Sequence, residues 1–199
     1  MRRRTRWPAA ACAAAGLLAC LLAGCSTGKD AVVRGGEFEF VSPGGQTTIF
    51  YDPPADRGKV SGLSGESLLE PGRTVSLDDF QGEVVVLNLW GSWCGPCRAE
   101  ADDLQRVADA TAGGGVTLLG IDVRDNRDAA ADFVRDRGLT WPSIFDPPGR
   151  SLLALRGYPR NVVPSTIVLD REHRVAAVFL QALLTDDLLP VVERIAAED

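Results

Sequence analysis

Residues 84–90 read VVVLNLW, an apolar run broken only by Asn88, with no alternation that would give it a polar side. Such a strand must be covered on both faces, the condition of a central strand in an α/β sheet. Gly91 and Ser92 follow, and then a helical pattern over 96–111 that carries Leu104, Val107, Ala108 and Thr111 and stops at Gly113-Gly114-Gly115. A second buried strand, VTLLGIDV, spans 116–123. A helix is predicted over 126–137, closed by Gly138, then a short strand over 141–145 and a helical turn over 150–155. Strands over 165–169 and 175–180 flank the turn 170–174. Thr185 caps a last helix with Leu188, Val192 and Ile195 on its inner face, and Pro190 there implies a kink or a later start near Leu189. Alternating β and α followed by a hairpin predicts an α/β domain, a central mixed sheet with helices on both faces, over 60–199.

The N-terminus obeys other rules. Arg2, Arg3, Arg4 and Arg6 precede an apolar stretch, Ala9 to Gly24, of 16 residues. A membrane span needs about 20, so residues 1–24 read as a secretory signal. They end in Leu22-Ala23-Gly24-Cys25, which resembles a bacterial lipobox with Cys25 as the lipidated residue; an uncleaved anchor is the other reading. Residues 25–36 form a polar tether. The alternating segments 37–41 and 47–51, around Ser42-Pro43-Gly44-Gly45, predict a β-hairpin extension over 37–59. The domain is therefore expected on the extracytoplasmic face of the cell membrane, held by a lipid anchor. Without the four signal arginines, 17 basic residues stand against 27 acidic ones, a net charge of −10. That balance argues against a nucleic-acid partner.

Of five cysteines, Cys12 and Cys20 leave with the signal and Cys25 carries lipid, so Cys94 and Cys97 remain as one pair in a disulfide-permissive compartment. No second pair exists and the sole histidine, His173, falls in a predicted turn. A zinc site lacks ligands, and no metal or cofactor is expected. A two-residue disulfide loop removes little unfolded-state entropy, which makes it a weak staple. A redox role has a mechanism: at a helix start, unpaired N–H groups and the helix dipole favour the Cys94 thiolate. Cys97, one turn further in, can resolve a mixed disulfide. Pro96 suits the first turn, and Gly95 permits close approach of a partner chain.

The stretch Trp93–Cys97, WCGPC, is the thioredoxin signature. The longer stretch 75–100, with GIDVRDN, FDPPGR and VVPSTIVLD after it, resembles the membrane-anchored TlpA/ResA-like thioredoxins. The hairpin, the following loop and the Arg-rich composition are most similar to actinobacterial members tied to cytochrome c maturation. The resemblance implies a thioredoxin fold and thiol–disulfide exchange outside the cytoplasm. Its implied task is reducing the haem-binding cysteines of apocytochrome c, with electrons from a membrane thiol transporter. It implies that Cys94 attacks, that Cys97 resolves, and that Pro164 is a cis-proline with Val163 lining the partner groove. Trp93 shields the pair or is a plain core residue. Asn88 stands where cytoplasmic thioredoxins carry a buried Asp. Glu100, three residues after Cys97, is either the proton acceptor for Cys97 or an idle acid near a helix N-terminus.

The direction of electron flow is less constrained. The Gly-Pro dipeptide leans reducing, since thioredoxin, which shares it, lies at about −270 mV and the oxidant DsbA at about −120 mV. An oxidase that introduces disulfides into exported proteins and a non-enzymatic lipoprotein binding module are the alternatives. Thioredoxin-fold peroxidases place Thr three residues before the reactive cysteine, where this chain has Gly91.

Overall fold

The computed structural model describes residues 36–41 and 44–198. The expected signal, Cys25 and the tether through residue 35 lie outside the described residues, as do Ser42 and Pro43.

Eight strands form one sheet: β1 (Thr48–Phe50), β2 (Ser64–Ser67), β3 (Thr74–Ser76), β4 (Val84–Trp90), β5 (Val116–Asp122), β6 (Ser143–Phe145), β7 (Ser165–Leu169) and β8 (Val175–Phe179), in the order β1-β8-β7-β4-β5-β6-β2-β3. β4 lies between a parallel neighbour, β5, and an antiparallel one, β7. All seven of its residues are buried, as its unbroken apolar sequence requires. The parallel pairs β4–β5 and β5–β6 are joined by α1 (Gly95–Ala110) and α2 (Arg127–Arg137), and α3 (Thr185–Ala196) closes the chain. α3 runs through Pro190 from a start at Thr185, so the alternative start near Leu189 does not hold. Pro190 is exposed, as is Asp186, whose carbonyl Pro190 has no N–H to bond.

Alternation along β4 sorts the core. Val84 and Val86 face Leu104 and Val107 of α1 and Leu188, Val192 and Ile195 of α3. Trp90, on the same side, meets Ala130 and Val134 of α2. Val85, Leu87 and Leu89 point the other way, into a core shared with Leu152 and Leu155 at the 3₁₀ turn Ser151–Ala154 and with Phe38, Phe40 and Val60 of the N-terminal segment. Helical structure thus covers both faces, α-helical on one and 3₁₀ on the other.

The expected N-terminal hairpin does not form. Its first half bridges elsewhere: Phe38 N–H donates to the Lys59 carbonyl at 2.8 Å and Phe40 N–H to the Arg156 carbonyl at 2.8 Å. Its second half is β1, which extends the sheet antiparallel to β8. The alternation was real, but its apolar positions serve the main core. Phe38 is 2% exposed and packs edge-on to Tyr51, and Phe40 edge-on to Tyr158. A lone two-stranded ribbon could not bury them as well.

Candidate active site

β4 ends at Trp90 and the chain turns through Gly91 and Ser92 before α1. The Ser92 N–H and hydroxyl both donate to Asp125, the hydroxyl at 2.9 Å. The Trp93 indole N–H donates to the Val123 carbonyl at 3.0 Å, which lays the ring along the surface, about half exposed. A Cβ on Gly91 would stand 2.3 Å from that indole nitrogen. Threonine, the peroxidase residue, therefore has no room there while Trp93 keeps this position.

Cys94 is the N-cap of α1, Gly95 and Pro96 fill its exposed first turn, and the Cys97 N–H donates to Cys94 Sγ at 3.2 Å. The two cysteines form a disulfide, with their Cα atoms 5.3 Å apart. Both are 3% exposed, although Trp93, Gly95 and Pro96 around them are open to solvent. The Val163–Pro164 peptide bond is cis. Val163 packs against the cluster that holds Trp90, Cys94 and Cys97, so this bond lies beside the sulfurs. Sequence-distant Val163 and Pro164 thus join Trp93–Cys97 in one site.

Glu100 is buried on the next turn of α1. Its Oε1 accepts from Asn88 Nδ2 at 3.0 Å and its Oε2 from the Leu183 N–H at 2.9 Å. Asn88 Nδ2 also donates to Thr166 Oγ1 at 3.1 Å. Burial pushes the Glu100 carboxyl up to about 7, against the opposing pull of the hydrogen bonds from Leu183 and Asn88. An acid so tuned can change protonation state near neutral pH, as a proton acceptor must.

Three buried polar groups escaped the sequence reading. Thr166 and the Leu183 N–H come from remote segments and carry no local signal. The third is Asp122, fully buried at the end of β5, in register with Trp90. Both of its carboxylate oxygens lack a partner among the described residues, as do Trp90 Nε1 and Ser143 Oγ. Burial, and then the charge of Asp125, push Asp122 up to about 8. An aspartate ending an otherwise apolar strand next to β4 was the available clue. His173, expected in a turn, is there with φ +59°, but its ring is buried, with Nε2 3.0 Å from the Phe80 carbonyl.

Two sulfurs joined at the carboxyl edge of a mixed sheet, beside a cis-proline, can trade partners with another disulfide or dithiol. The class so defined is the thioredoxin-like thiol-disulfide oxidoreductases. The chain belongs to the AhpC/TSA family, whose pattern matches residues 63–178. It is similar to the thiol-disulfide oxidoreductase ResA of Geobacillus thermodenitrificans, with 28% identity over 62% of this chain and 70% of that protein. Among solved structures it is similar to a secreted thiol-disulfide isomerase from Corynebacterium glutamicum, at 50% identity and a TM-score of 0.79, covering 82% of this chain and all of that one. A DsbF homologue from Corynebacterium diphtheriae matches at 49% identity and a TM-score of 0.76, over 80% of this chain and 99% of that one.

Proposed function

We propose that this protein is a membrane-anchored, extracytoplasmic reductant of protein disulfides, and that its substrates are the haem-binding cysteine pairs of apocytochrome c. The reduced Cys94 thiolate attacks one sulfur of the substrate disulfide, and the other substrate sulfur leaves as a thiolate. Cys97 gives its proton to the Glu100 carboxylate and attacks Cys94 Sγ. This releases the second substrate sulfur and closes the Cys94–Cys97 disulfide. Two electrons have passed to the substrate, and a membrane thiol-electron transporter restores the dithiol. Trp93, Gly95, Pro96, Val163 and Pro164 frame the groove in which the substrate backbone lies. Cys25 carries the lipid.

The observation that carries this reading is the setting of Glu100. It is buried one turn beyond Cys97, held by Asn88 and the Leu183 N–H, and poised near neutral pH. The ResA resemblance and the Gly-Pro dipeptide support the reducing direction. The C. glutamicum isomerase favours a second reading, in which the same exchange rearranges disulfides of exported proteins.

Deleting the gene and staining membranes for covalent haem separates the two. Loss of c-type cytochromes, restored by added thiol reductant, is the expected result. Normal haem attachment in the deletion strain would overturn the cytochrome assignment. A reduction potential near that of DsbA would overturn the reducing direction.

A further inference from the structure

Beside Trp93 lies an open cleft of about 290 Å³, lined by Val123, Arg124, Pro147, Pro148, Arg160 and Asn161 among others. Its two ends are tied to the site. The Arg124 guanidinium sits over the Trp93 ring, 4.7 Å from the centroid. Arg160 and Asn161 lead directly into the cis Val163–Pro164 bond. Arg124 adopts φ +56°, a left-handed conformation uncommon for a side chain other than glycine. Its N–H is fixed to the Pro147 carbonyl at 3.1 Å.

Among the described residues the cleft presents cations and no acid. The chain is acidic, with a net charge of −6. Eight of the fourteen described arginines, Arg57 and Arg127 among them, lie within 3.4 Å of a carboxylate; Arg98, Arg124, Arg150, Arg156, Arg160 and Arg171 do not, and of these only Arg124 and Arg160 line the cleft. Arg124 and Arg160, both exposed, make no ion pair among the described residues, and no carboxylate lines the cleft. Asp125, the nearest acid in sequence, is turned away to the N–H and hydroxyl of Ser92. Arg98, exposed on the first turn of α1, is likewise unpaired among the described residues. Guanidinium groups present a planar fork that matches a carboxylate, and rim charges of this kind govern encounter and partner choice.

We infer that this cleft is a specificity site for a carboxylate of the partner polypeptide, an Asp or Glu side chain a few residues from the partner's reactive cysteine. A partner chain seated over Cys94, between Trp93 and Val163, runs past Trp93 into the cleft, where Arg124 and Arg160 receive its acid. The inference rests on the exchange function proposed above and adds the substrate's charge to it.

The test mixes pre-reduced full-length protein, in detergent, with three synthetic peptides. Each contains one CxxC disulfide flanked by two Glu, two Gln or two Lys residues. The second-order rate of disulfide transfer is read by acid quench and alkylation. The Glu peptide is expected to react about tenfold faster than the Gln peptide, the equivalent of about 1.4 kcal/mol, and the Lys peptide more slowly than either. The preference should vanish in about 1 M salt, where charges are screened beyond about 3 Å. Arg160→Gln should reduce the Glu-to-Gln rate ratio, and the Arg124→Gln, Arg160→Gln double variant should bring it to unity. The ratio is insensitive to a general loss of activity. Equal rates for the three peptides with the native protein, or a ratio that survives in the double variant, would overturn the cleft. Failure to react with any peptide would sink the exchange function itself.

Discussion

Glu100 and Asp122 are both buried acids held above the ordinary carboxylate range, but among the described residues only Glu100 accepts hydrogen bonds that oppose the rise. Glu100 sits at about 7 in the folded chain, against about 4.3 when unfolded. The folded state therefore favours its protonated form. The stability that this adds is complete below about pH 4 and is lost as pH rises through 7. The same ionisation should appear as an inflection near pH 7 in the rate at which Cys97 resolves a mixed disulfide. Glu100→Gln should abolish the inflection and slow resolution by about 10²–10⁴. The variant should also unfold more easily by about 1–2 kcal/mol. Asn88 Nδ2 and the Leu183 N–H are both donors, and an amide has one oxygen to offer them. An unchanged pH profile would leave Glu100 a structural acid. Asp122 accepts no hydrogen bond among the described residues and lies at about 8. Its neutral form is the stable one, and native stability should fall as pH rises from about 4 through 8. Asp122→Asn, a neutral isostere, should leave thermal stability unchanged at pH 5 and raise it at pH 9; equal melting at both pH values would contradict the assignment.

At the scale of elements, most of the fold was legible because most of it is local. VVVLNLW had to be a central strand, and Gly113–Gly115 and Gly138 had to end helices; each is a short-range constraint on backbone or burial. Cys94 and Cys97 were legible for the same reason, since a cap and a first turn are contiguous. The N-terminal hairpin failed because alternation reports which residues want burial and not against what. Phe38 and Phe40 found the main core, and β1 found the free edge of β8. Thr166, the Leu183 N–H and Arg124 were invisible because only the folded sheet brings segments from β5, β7 and the approach to α3 around one helix start. This placement makes the extension part of the core. Phe38→Ala should therefore destabilise the domain by about 3–5 kcal/mol, the cost of emptying a buried aromatic site, as read by denaturant unfolding. An independent hairpin would leave the main transition unmoved.

For the whole molecule, the question is what holds the extension, the β7–β8 turn and the C-terminal helix together at the end remote from the sulfurs. Arg57 does so. It is fully buried, and its guanidinium reaches Asp52 at 2.8 Å, Asp170 at 3.2 Å and Glu198 at 2.9 Å, with Nε on the Tyr51 carbonyl at 3.0 Å. These partners come from the extension, the turn after β7 and the residues just past α3. Together they hold its pKa above the ordinary arginine range, against the opposing cost of burial. Without Arg57, Asp170 keeps Arg174, and the partly exposed Asp52 and Glu198 keep Arg194, so losing the buried guanidinium and its hydrogen bonds should cost about 1–3 kcal/mol. Arg57→Met keeps the apolar stem and removes the charge, so its destabilisation, read by denaturant unfolding, measures the lost charge-assisted hydrogen bonds more than lost packing. Asp170 follows the last residue of β7 and Pro164 precedes the first. The strand between them spans about 17 Å at the usual rise per residue. A disturbance at Arg57 therefore lies a full strand length from the cis-proline. In conditions where Arg57→Met remains folded, its disulfide-exchange rate should match the native rate. If the rate fell while the near-ultraviolet spectrum of the folded protein stayed native, β7 would be transmitting the change to Pro164. The two ends of the sheet would then be one mechanical unit and not a scaffold with a site at its edge.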